Sequence, residues 1–213
     1  MRVIVFDIDG VLLDVRPSFY RVVQELSGAT LTDIGRFKAN GGFNDDWELT
    51  RAATAWIKAG RPELFGQVDG WRAVIDRCGN DPGDLSAQCH ALYSEHYWKD
   101  EKPLVTSAQL RSLSKRFAVR ACTGRSRWEL DRAEELLGFT FPLATTSEIV
   151  RKPNPQALLR LLPGNATEVW MLGDTEDDRR TVEAATAHTP LPLRYFHVVD
   201  SPLPYLRPLL EEA

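Results

Sequence analysis

The sequence predicts an α/β fold, in which a parallel sheet is covered by helices on both sides and an all-helical segment is inserted near the start of the chain. Apolar runs rich in β-branched residues predict five strands, at residues 3–6, 117–122, 141–145, 169–172 and 195–199. Helical patterns separate most of these runs, and this alternation is typical of a parallel sheet. In such sheets, ligands bind at the carboxyl ends of the strands.

Two helices of the sheet-forming part have clear ends in the sequence. Ser126 and Glu129 have the spacing of a capping box, and Gly138 is placed to end the same helix. A second helix is expected to begin at Asn154-Pro155, with the proline at its first position, and to be closed by Pro163-Gly164. The proline-rich tail, residues 202–208, is expected to form an irregular segment over the core.

Residues 15–100 differ in character from the rest of the chain. They contain four of the six tryptophans, no convincing strand pattern, and apolar residues that recur at helical spacing. We therefore expect an all-helical domain at residues 15–100, inserted into an α/β domain that is formed by residues 1–14 and 101–213. A chain of 213 residues is long enough for this architecture.

The composition excludes several classes of partner. The 26 basic and 30 acidic residues are scattered, which argues against a surface that binds nucleic acid. No run approaches the roughly 18 consecutive apolar residues of a membrane span, and the start of the chain does not resemble a secretory signal. Three cysteines without metal-ligand spacing predict reduced thiols and a cytoplasmic protein. The sequence leaves open whether the protein is a monomer or a homodimer.

Four short motifs contain the residues best suited to chemistry. Each lies where an apolar run ends, or just before a predicted helix. Together they supply carboxylates, an ammonium group and a hydroxyl, which is the mixture needed to bind a phosphate ester through Mg²⁺. The motifs are residues 6–10 (FDIDG), 122–124 (CTG), 151–153 (RKP) and 173–178 (GDTEDD).

Asp7 and Asp9 are two residues apart, so both carboxylates point to the same side of an extended chain. Gly10 then allows the chain to turn sharply. One acid can attack phosphorus, while the other protonates the leaving oxygen and then activates water. For this pair alone an ordinary solvated turn is the alternative, whereas an EF-hand is excluded because Ser18 stands where that loop needs a glutamate.

Thr123, Gly124 and Lys152 are candidates for holding the phosphoryl group. A hydroxyl and backbone N–H groups at a strand end suit a phosphate oxygen, and Arg125 is a further candidate for a phosphate contact. Lys152 precedes a predicted helix, and its charge would offset that of the nucleophile and the phosphoryl oxygens. Taken singly, a strand-ending threonine, a solvated arginine and an exposed lysine are the more ordinary interpretations.

An acidic cluster follows the strand predicted at residues 169–172. Asp174 comes directly after this strand, and Asp177 and Asp178 fall in the first turn of the next helix, where the helix dipole favours carboxylates. Helix stabilisation alone would account for part of this acidity. However, four acids within five residues repel one another, and a divalent cation would relieve that repulsion. Asp174 is the best ligand candidate, followed by Asp178.

The joint occurrence of these motifs, in this order, resembles the haloacid dehalogenase (HAD) superfamily. Its motifs are D-x-D, a Thr or Ser after an apolar strand, a Lys, and G-D-x-x-x-D, and the similarity covers the whole α/β part of the chain. The resemblance implies a Rossmann-like core with the first strand mid-sheet, between the strands that end at Thr123 and Asp174. It also implies that residues 15–100 are a type 1 cap, which closes over the site and selects the substrate.

The same resemblance implies a role for each motif residue. Asp7 would be the nucleophile and Asp9 the general acid and base. Thr123 and Lys152 would hold and neutralise the phosphoryl group. The ligands of Mg²⁺ would be Asp7, Asp174, Asp178 and the main-chain oxygen of Asp9.

Residues 41–47 are similar to a cap sequence found in an uncharacterised branch of the superfamily. Phe43, Asn44 and Trp47 are therefore candidates to contact the leaving group of the substrate. The alternative is that the two aromatic rings pack inside the helical domain, while the glycines before them only turn the chain. The sequence does not decide between these two interpretations.

Dehalogenases of the superfamily lack the second aspartate, so Asp9 favours phosphate chemistry. The expected activity is that of a Mg²⁺-dependent phosphatase, which hydrolyses a small phosphorylated metabolite through an aspartyl-phosphate. One alternative is a phosphomutase of the same superfamily. Another is a receiver-like signalling module that accepts phosphate without hydrolysing it, although receivers lack a large helical insert. The identity of the metabolite stays open.

Overall fold

The computed structural model describes residues 1–43 and 45–211, and the chain divides into two compact units. The first unit consists of Met1–Asp14, Lys102–Asp174 and Asp178–Ala213. The second consists of Val15–Glu101 and Thr175–Asp177.

Among the described residues, strands and helices alternate from residue 102 onward, whereas the helices of residues 15–101 follow one another without a strand between them. The strands are β1 (Arg2–Phe6), β2 (Leu13–Asp14), β3 (Lys102–Pro103), β4 (Ala118–Cys122), β5 (Ala144–Thr145), β6 (Glu168–Gly173) and β7 (Leu193–His197). The helices are α1 (Phe19–Ser27), α2 (Leu31–Asn40), α3 (Asp46–Lys58), α4 (Gly70–Cys78), α5 (Ser86–Leu92), α6 (Ser107–Ser114), α7 (Arg127–Leu137), α8 (Gln156–Leu159), α9 (Glu176–Thr186) and α10 (Leu203–Glu211). A π-helical segment, Tyr93–Tyr97, and a 3₁₀ turn, Trp98–Asp100, follow α5.

Among the described residues of the first unit, β5, β4, β1, β6 and β7 lie side by side in this order and form one parallel sheet. Strand β1 is central, because Val3 pairs with Ala118 of β4 on one side and with Val169 of β6 on the other. Nearly all of β1 is buried on both faces, as expected of a strand in a covered parallel sheet. The predicted fold class is confirmed.

Helices α8 and α9 cover part of this sheet. Their apolar residues form one buried cluster with side chains of β1, β4 and β6. All five predicted runs contribute a strand, but β5 has only two residues where five were expected. Pro142 lies inside that run and has no N–H to donate to a neighbouring strand, which explains the shortening.

Helix ends were predicted with mixed success. The capping box of Ser126 and Glu129 is present at the start of α7, and Gly138 ends that helix with a left-handed φ of 57°. The helix predicted between Asn154-Pro155 and Pro163-Gly164 is wrong in length, because α8 ends at Leu159. After Leu159 the backbone tightens into turns, because the N–H groups of Leu161 and Leu162 donate to carbonyls only three residues earlier, at 3.0 Å and 3.2 Å.

The prediction for the tail is also wrong, because residues 203–211 form α10. Leu206 and Leu209 are spaced three apart and are both buried, so the helix has an apolar face. Pro204 falls in its first turn, where a missing N–H leaves no helical hydrogen bond unmade.

The second unit contains α1–α5 and is built around aromatic side chains. The ring centroid of Phe37 lies 5.0 Å from that of Phe43, 5.5 Å from that of Trp56 and 5.0 Å from that of Phe65. All three pairs have edge-to-face geometry, which the aromatic quadrupole favours. None of the described helices has the length and apolar composition needed to cross a membrane.

Candidate active site

The carboxyl ends of three neighbouring strands bring the sequence motifs to one edge of the sheet. Asp7 follows β1, Thr123 follows β4, and Asp174 follows β6. Because β1 lies between β4 and β6, these three positions are adjacent. Lys152 lies in the segment between β5 and α8, and its side chain also reaches this edge.

Asp7 is buried at the centre of the group and is held on both sides. Its main-chain N–H donates to the carbonyl of Leu172, at 2.9 Å. Its carboxylate Oδ1 accepts a hydrogen bond from the N–H of Ile8, at 2.8 Å, and its Oδ2 lies 3.1 Å from Nζ of Lys152. The carboxylate therefore has a fixed orientation, with Oδ2 beside a positive charge.

Lys152 joins two carboxylates across the site. In addition to its contact with Asp7, its Nζ donates to Oδ1 of Asp178 at 2.5 Å. Burial opposes the charged form of Lys152, but the neighbouring Asp178 and Asp7 outweigh it and raise the pKa of the ammonium well above its usual value. The two carboxylates therefore favour the charged form of the lysine.

The pKa of Asp7 is raised well above its usual value, and burial is the main cause. The carboxylates of Asp178, Asp174 and Asp9 add to the shift, while Lys152 opposes it. The site therefore holds more negative charge than one lysine neutralises. A bound divalent cation would counter the rise in the pKa of Asp7, because it favours the ionised form of the carboxylates around it.

Asp7, Asp174 and Asp178 have the arrangement that a metal ion requires. Each offers a carboxylate oxygen, and the three atoms lie within 4.8 Å of one another. Three hard oxygen donors suit Mg²⁺, which is usually held by a few carboxylates and water. Among the described residues the group includes Asp178, the second candidate from the sequence, and not Asp177.

Two glycines make room for these carboxylates. A Cβ on Gly10 would lie 2.1 Å from Oδ2 of Asp174, and Gly10 also has a φ of 72° that favours glycine. A Cβ on Gly173 would lie 2.5 Å from Cβ and Cγ of Asp178. The residues present therefore fit a metal-binding group, and their spacing depends on the absence of two side chains.

Thr123 is buried at the end of β4, and its hydroxyl oxygen accepts a hydrogen bond from the N–H of Arg125, at 3.1 Å. Its own N–H donates to the carbonyl of Thr145 in β5, at 3.0 Å. That N–H is therefore committed to the sheet. A contact of phosphate with the Thr123 hydroxyl, or with Gly124, stays a prediction.

Asp9 and Arg125 form an ion pair beside the acidic group. Both Nε and Nη2 of Arg125 donate to Oδ1 of Asp9, at 2.8 Å and 2.6 Å. The guanidinium is fully buried, whereas the side chain of Asp9 is 21% exposed. The second aspartate of the D-x-D motif thus has different surroundings from the first.

Tyr195 of β7 is a neighbour of the site that no sequence motif indicated. Its hydroxyl donates to the carbonyl of Gly173, at 3.0 Å, and lies 3.2 Å from Nδ1 of His197. Burial raises the pKa of Tyr195, and the carboxylates of the site, led by Asp178, raise it further. Only the pairing of Tyr195 with Met171 of β6 brings it here, and a register between distant strands has no local sequence signal.

Phe43 and Trp47, two candidate residues of the helical unit, have packing partners within that unit. Phe43 is buried and packs against Phe37. Trp47 is half-buried, and its ring centroid lies 5.3 Å from that of Phe19 and 6.1 Å from that of Tyr93. A contact of Phe43 or Trp47 with a leaving group stays a prediction, and Asn44 lies outside the described residues.

Solved structures with a similar fold include enzymes of different chemistry. A phosphatase, Tt82, from Thermococcus thioreducens is 28% identical, with a TM-score of 0.76 and full coverage of both chains. A candidate phosphoglycolate phosphatase from Lactobacillus plantarum is 19% identical, with a TM-score of 0.61 over 96% of this chain and 97% of that one. An L-2-haloacid dehalogenase is 20% identical, with a TM-score of 0.52 over 96% of this chain and 87% of that one.

No curated protein matches this sequence. The family of haloacid dehalogenase-like hydrolases, in contrast, matches residues 1–186, which is most of the chain. The four motifs and the parallel sheet with β1 at its centre agree with this match. The chain belongs to the haloacid dehalogenase-like hydrolases and is an enzyme of that family.

Proposed function

We propose that this hydrolase is a Mg²⁺-dependent phosphatase, which cleaves a small phosphorylated metabolite through an aspartyl-phosphate on Asp7. One observation carries the proposal. Oδ2 of the buried Asp7 lies 3.1 Å from Nζ of Lys152, and the same carboxylate belongs to the acidic group with Asp174 and Asp178. A phosphoryl group brought to Asp7 would meet a nucleophile and fixed positive charge together.

The chemistry begins at Oδ2 of Asp7. Oδ1 is held by the N–H of Ile8, so Oδ2 is the better placed oxygen to form the bond to phosphorus. Lys152 would offset the charge that develops on the transferred oxygens. Asp174 and Asp178 would hold Mg²⁺ with Asp7 and the main-chain oxygen of Asp9, and the bound cation would supply further neutralisation of the phosphoryl charge.

Asp9 would act as the acid and base. Its protonated carboxyl would give a proton to the leaving oxygen as the phosphorus–oxygen bond breaks, and the resulting carboxylate would take a proton from the water that hydrolyses the aspartyl-phosphate. Asp7 and Asp9 have unlike surroundings, one buried beside Lys152 and the other partly exposed beside Arg125, and such differences separate the roles of paired carboxylates.

The presence of Asp9 favours a phosphatase over a dehalogenase. Cleavage of a carbon–halogen bond needs no acid for its leaving group, whereas an alkyl phosphate releases a strongly basic oxygen. The phosphatase from Thermococcus thioreducens, 28% identical over the full length, supports the same choice.

The proposal also covers the role of the second unit and the cellular location of the protein. We propose that the helical residues 15–100 are the cap that selects the substrate, as in the family, and that residues 1–14 and 101–213 are the catalytic core. Cys78, Cys89 and Cys122 are unpaired thiols, which supports a cytoplasmic protein.

The test is phosphate release from a panel of small phosphorylated metabolites, with Mg²⁺ and with EDTA. We expect release from at least one compound with Mg²⁺ and none with EDTA. A stable phosphorylated protein without release would instead indicate a receiver-like module, and transfer of the phosphoryl group to a second sugar position would indicate a phosphomutase. Halide release from a 2-haloacid, without phosphate release from any ester, would overturn the proposal.

A further inference from the structure

Arg125 is a sequence candidate for a phosphate contact, but its guanidinium has other partners in the structure. It is fully buried, and two of its nitrogens, Nε and Nη2, donate to the same oxygen of Asp9, at 2.8 Å and 2.6 Å. A buried guanidinium has no surface left for an incoming anion. Its positive charge and planar shape instead bind Asp9, the aspartate that the proposed reaction needs as an acid.

The position of Arg125 is fixed from several directions. Its Nη1 donates to the carbonyl of Glu129 in the first turn of α7, at 3.1 Å. Its main-chain N–H donates to the Thr123 hydroxyl, and its carbonyl accepts from the N–H of Ser147, each at 3.1 Å. The end of β4 and the start of α7 thus hold this side chain, which makes it a rigid support for whatever it contacts.

The geometry at Asp9 is asymmetric. Both donors of Arg125 meet Oδ1, and in the part of the chain that the structure describes no hydrogen bond reaches Oδ2. The Asp9 side chain is 21% exposed although its partner is 0% exposed. One oxygen therefore anchors the carboxyl group while the other stays available to a leaving group or to water.

We propose that Arg125 is a positioning residue for Asp9, and not a ligand of the phosphoryl group. This inference rests on the proposed phosphatase function. In the first step, Oδ2 of Asp7 forms a bond to phosphorus, the bond from phosphorus to the leaving oxygen breaks, and the proton of Asp9 goes to that oxygen. Arg125 keeps the donating oxygen of Asp9 aimed at the leaving oxygen during this step.

The role can be tested with two phosphate esters that differ in their leaving group. An aryl ester such as p-nitrophenyl phosphate releases a weakly basic phenolate and needs little help from an acid, whereas an alkyl ester releases a strongly basic alkoxide. The ratio kcat/KM covers the reaction up to the first irreversible step, which is transfer of the phosphoryl group to Asp7. It therefore reports the acid role of Asp9 without its later role as a base.

We expect Arg125→Met to lower kcat/KM for the alkyl ester by about a hundredfold, the lower end of the range for a lost general acid, and to change the aryl value by only about threefold. Arg125→Lys should also lower kcat/KM selectively for the alkyl ester, because an ammonium cannot make the planar double contact. The decrease should be smaller than in Arg125→Met, since the positive charge is kept. Arg127→Met is the matched control. Arg127 stands two residues later at the start of α7, but pairs with Asp131 and Glu134 instead.

A double variant strengthens the test. If Arg125 acts through Asp9, adding Arg125→Met to Asp9→Asn should cost nothing further with the alkyl ester. An equal loss of kcat/KM for both esters, in Arg125→Met or in the more conservative Arg125→Lys, would indicate a phosphate contact. That result would overturn the positioning role of Arg125 but leave the proposed phosphatase function standing. A wild-type enzyme that cleaves neither ester, nor any metabolite of the panel, would overturn the proposed function and this inference with it.

Discussion

Asp7 and Asp33 are both buried aspartates, one in each unit, and their surroundings have opposite effects on the charge. Burial alone would raise the pKa of Asp33, but hydrogen bonds from Thr30 and the guanidinium of Arg61 outweigh it and lower the pKa. Oδ2 of Asp33 accepts from Thr30 N at 2.9 Å, Thr30 Oγ1 at 2.8 Å and Arg61 Nη1 at 2.7 Å. At Asp7, burial and three neighbouring carboxylates outweigh Lys152 and raise the pKa.

The carboxylate of Asp33 stabilises the fold, whereas the carboxylate of Asp7 is retained although folding disfavours its charge. Asp33 closes the capping box at the start of α2, so its ionised form is stabilised by folding. The ionised form of Asp7 is disfavoured by folding, as is common where stability is given up for a functional site. Substitutions in the two regions should therefore affect different properties.

Asp7→Asn should have the largest effect on activity and no unfavourable effect on stability. The change removes the proposed nucleophile, so phosphate release should fall to background. It also removes one carboxylate from a crowded group, while Lys152 keeps its contact with Asp178. Phosphate release and thermal unfolding should be measured on the same samples. Robust turnover would exclude Asp7 as the nucleophile, and a clearly lower unfolding temperature would contradict the comparison with Asp33.

Gly173→Ala should damage the metal site without a change of charge. The added Cβ would lie 2.5 Å from Cβ and Cγ of Asp178, so the carboxylate has to move. We expect about a tenfold to hundredfold weaker affinity for Mg²⁺, the usual scale for disturbed support of a ligand. The concentration of Mg²⁺ for half-maximal activity measures this. Gly164→Ala is the control, since a Cβ there meets no atom of the described residues within 4 Å. Equal Mg²⁺ dependence in both variants would mean that Asp178 is not a ligand.

Sequence motifs predicted the strand-end residues of the site better than they predicted its contacts. Asp7, Thr123 and Asp174 follow apolar runs, and the topology of a parallel sheet brings the ends of such runs together. The contact of Lys152 with Asp178 depends on how the segment before α8 meets the first turn of α9, and no local sequence pattern predicts that meeting. Arg125 is the clearest case, because a solvated arginine and one buried against an aspartate 116 positions earlier have the same local sequence.

Asp33→Ala should lower stability by about 1–2 kcal/mol, the usual range for a lost helix cap. The sign of the pH effect follows from the lowered pKa: the stabilisation is full above the unfolded value of about 3.9 and is lost as the pH falls through the folded value. The difference in unfolding midpoint between wild type and variant should therefore shrink in acid. Gln109→Ala is the control, because Gln109 fills the same position of the α6 capping box without a charge. A difference that persists in acid would show that the charge of Asp33 is unimportant.

Gly35→Ala should have the smallest effect, a gain of about 0.5–1 kcal/mol, because alanine is the better residue inside a helix. Gly35 lies in the middle of α2, and a Cβ there meets nothing within 4 Å in the part of the chain that the structure describes. Gly28→Ala is the informative partner. Its Cβ would also meet no described atom within 4 Å, but its φ is 78° at the end of α1. We expect that variant to be destabilised through backbone strain alone. Chemical unfolding measures both, and activity should not change in either. A loss of stability in Gly35→Ala equal to that in Gly28→Ala would contradict this. Substitutions at Gly28 and Gly35 should therefore change only the backbone energetics of the helical unit, in contrast to substitutions at the glycines beside Asp174 and Asp178.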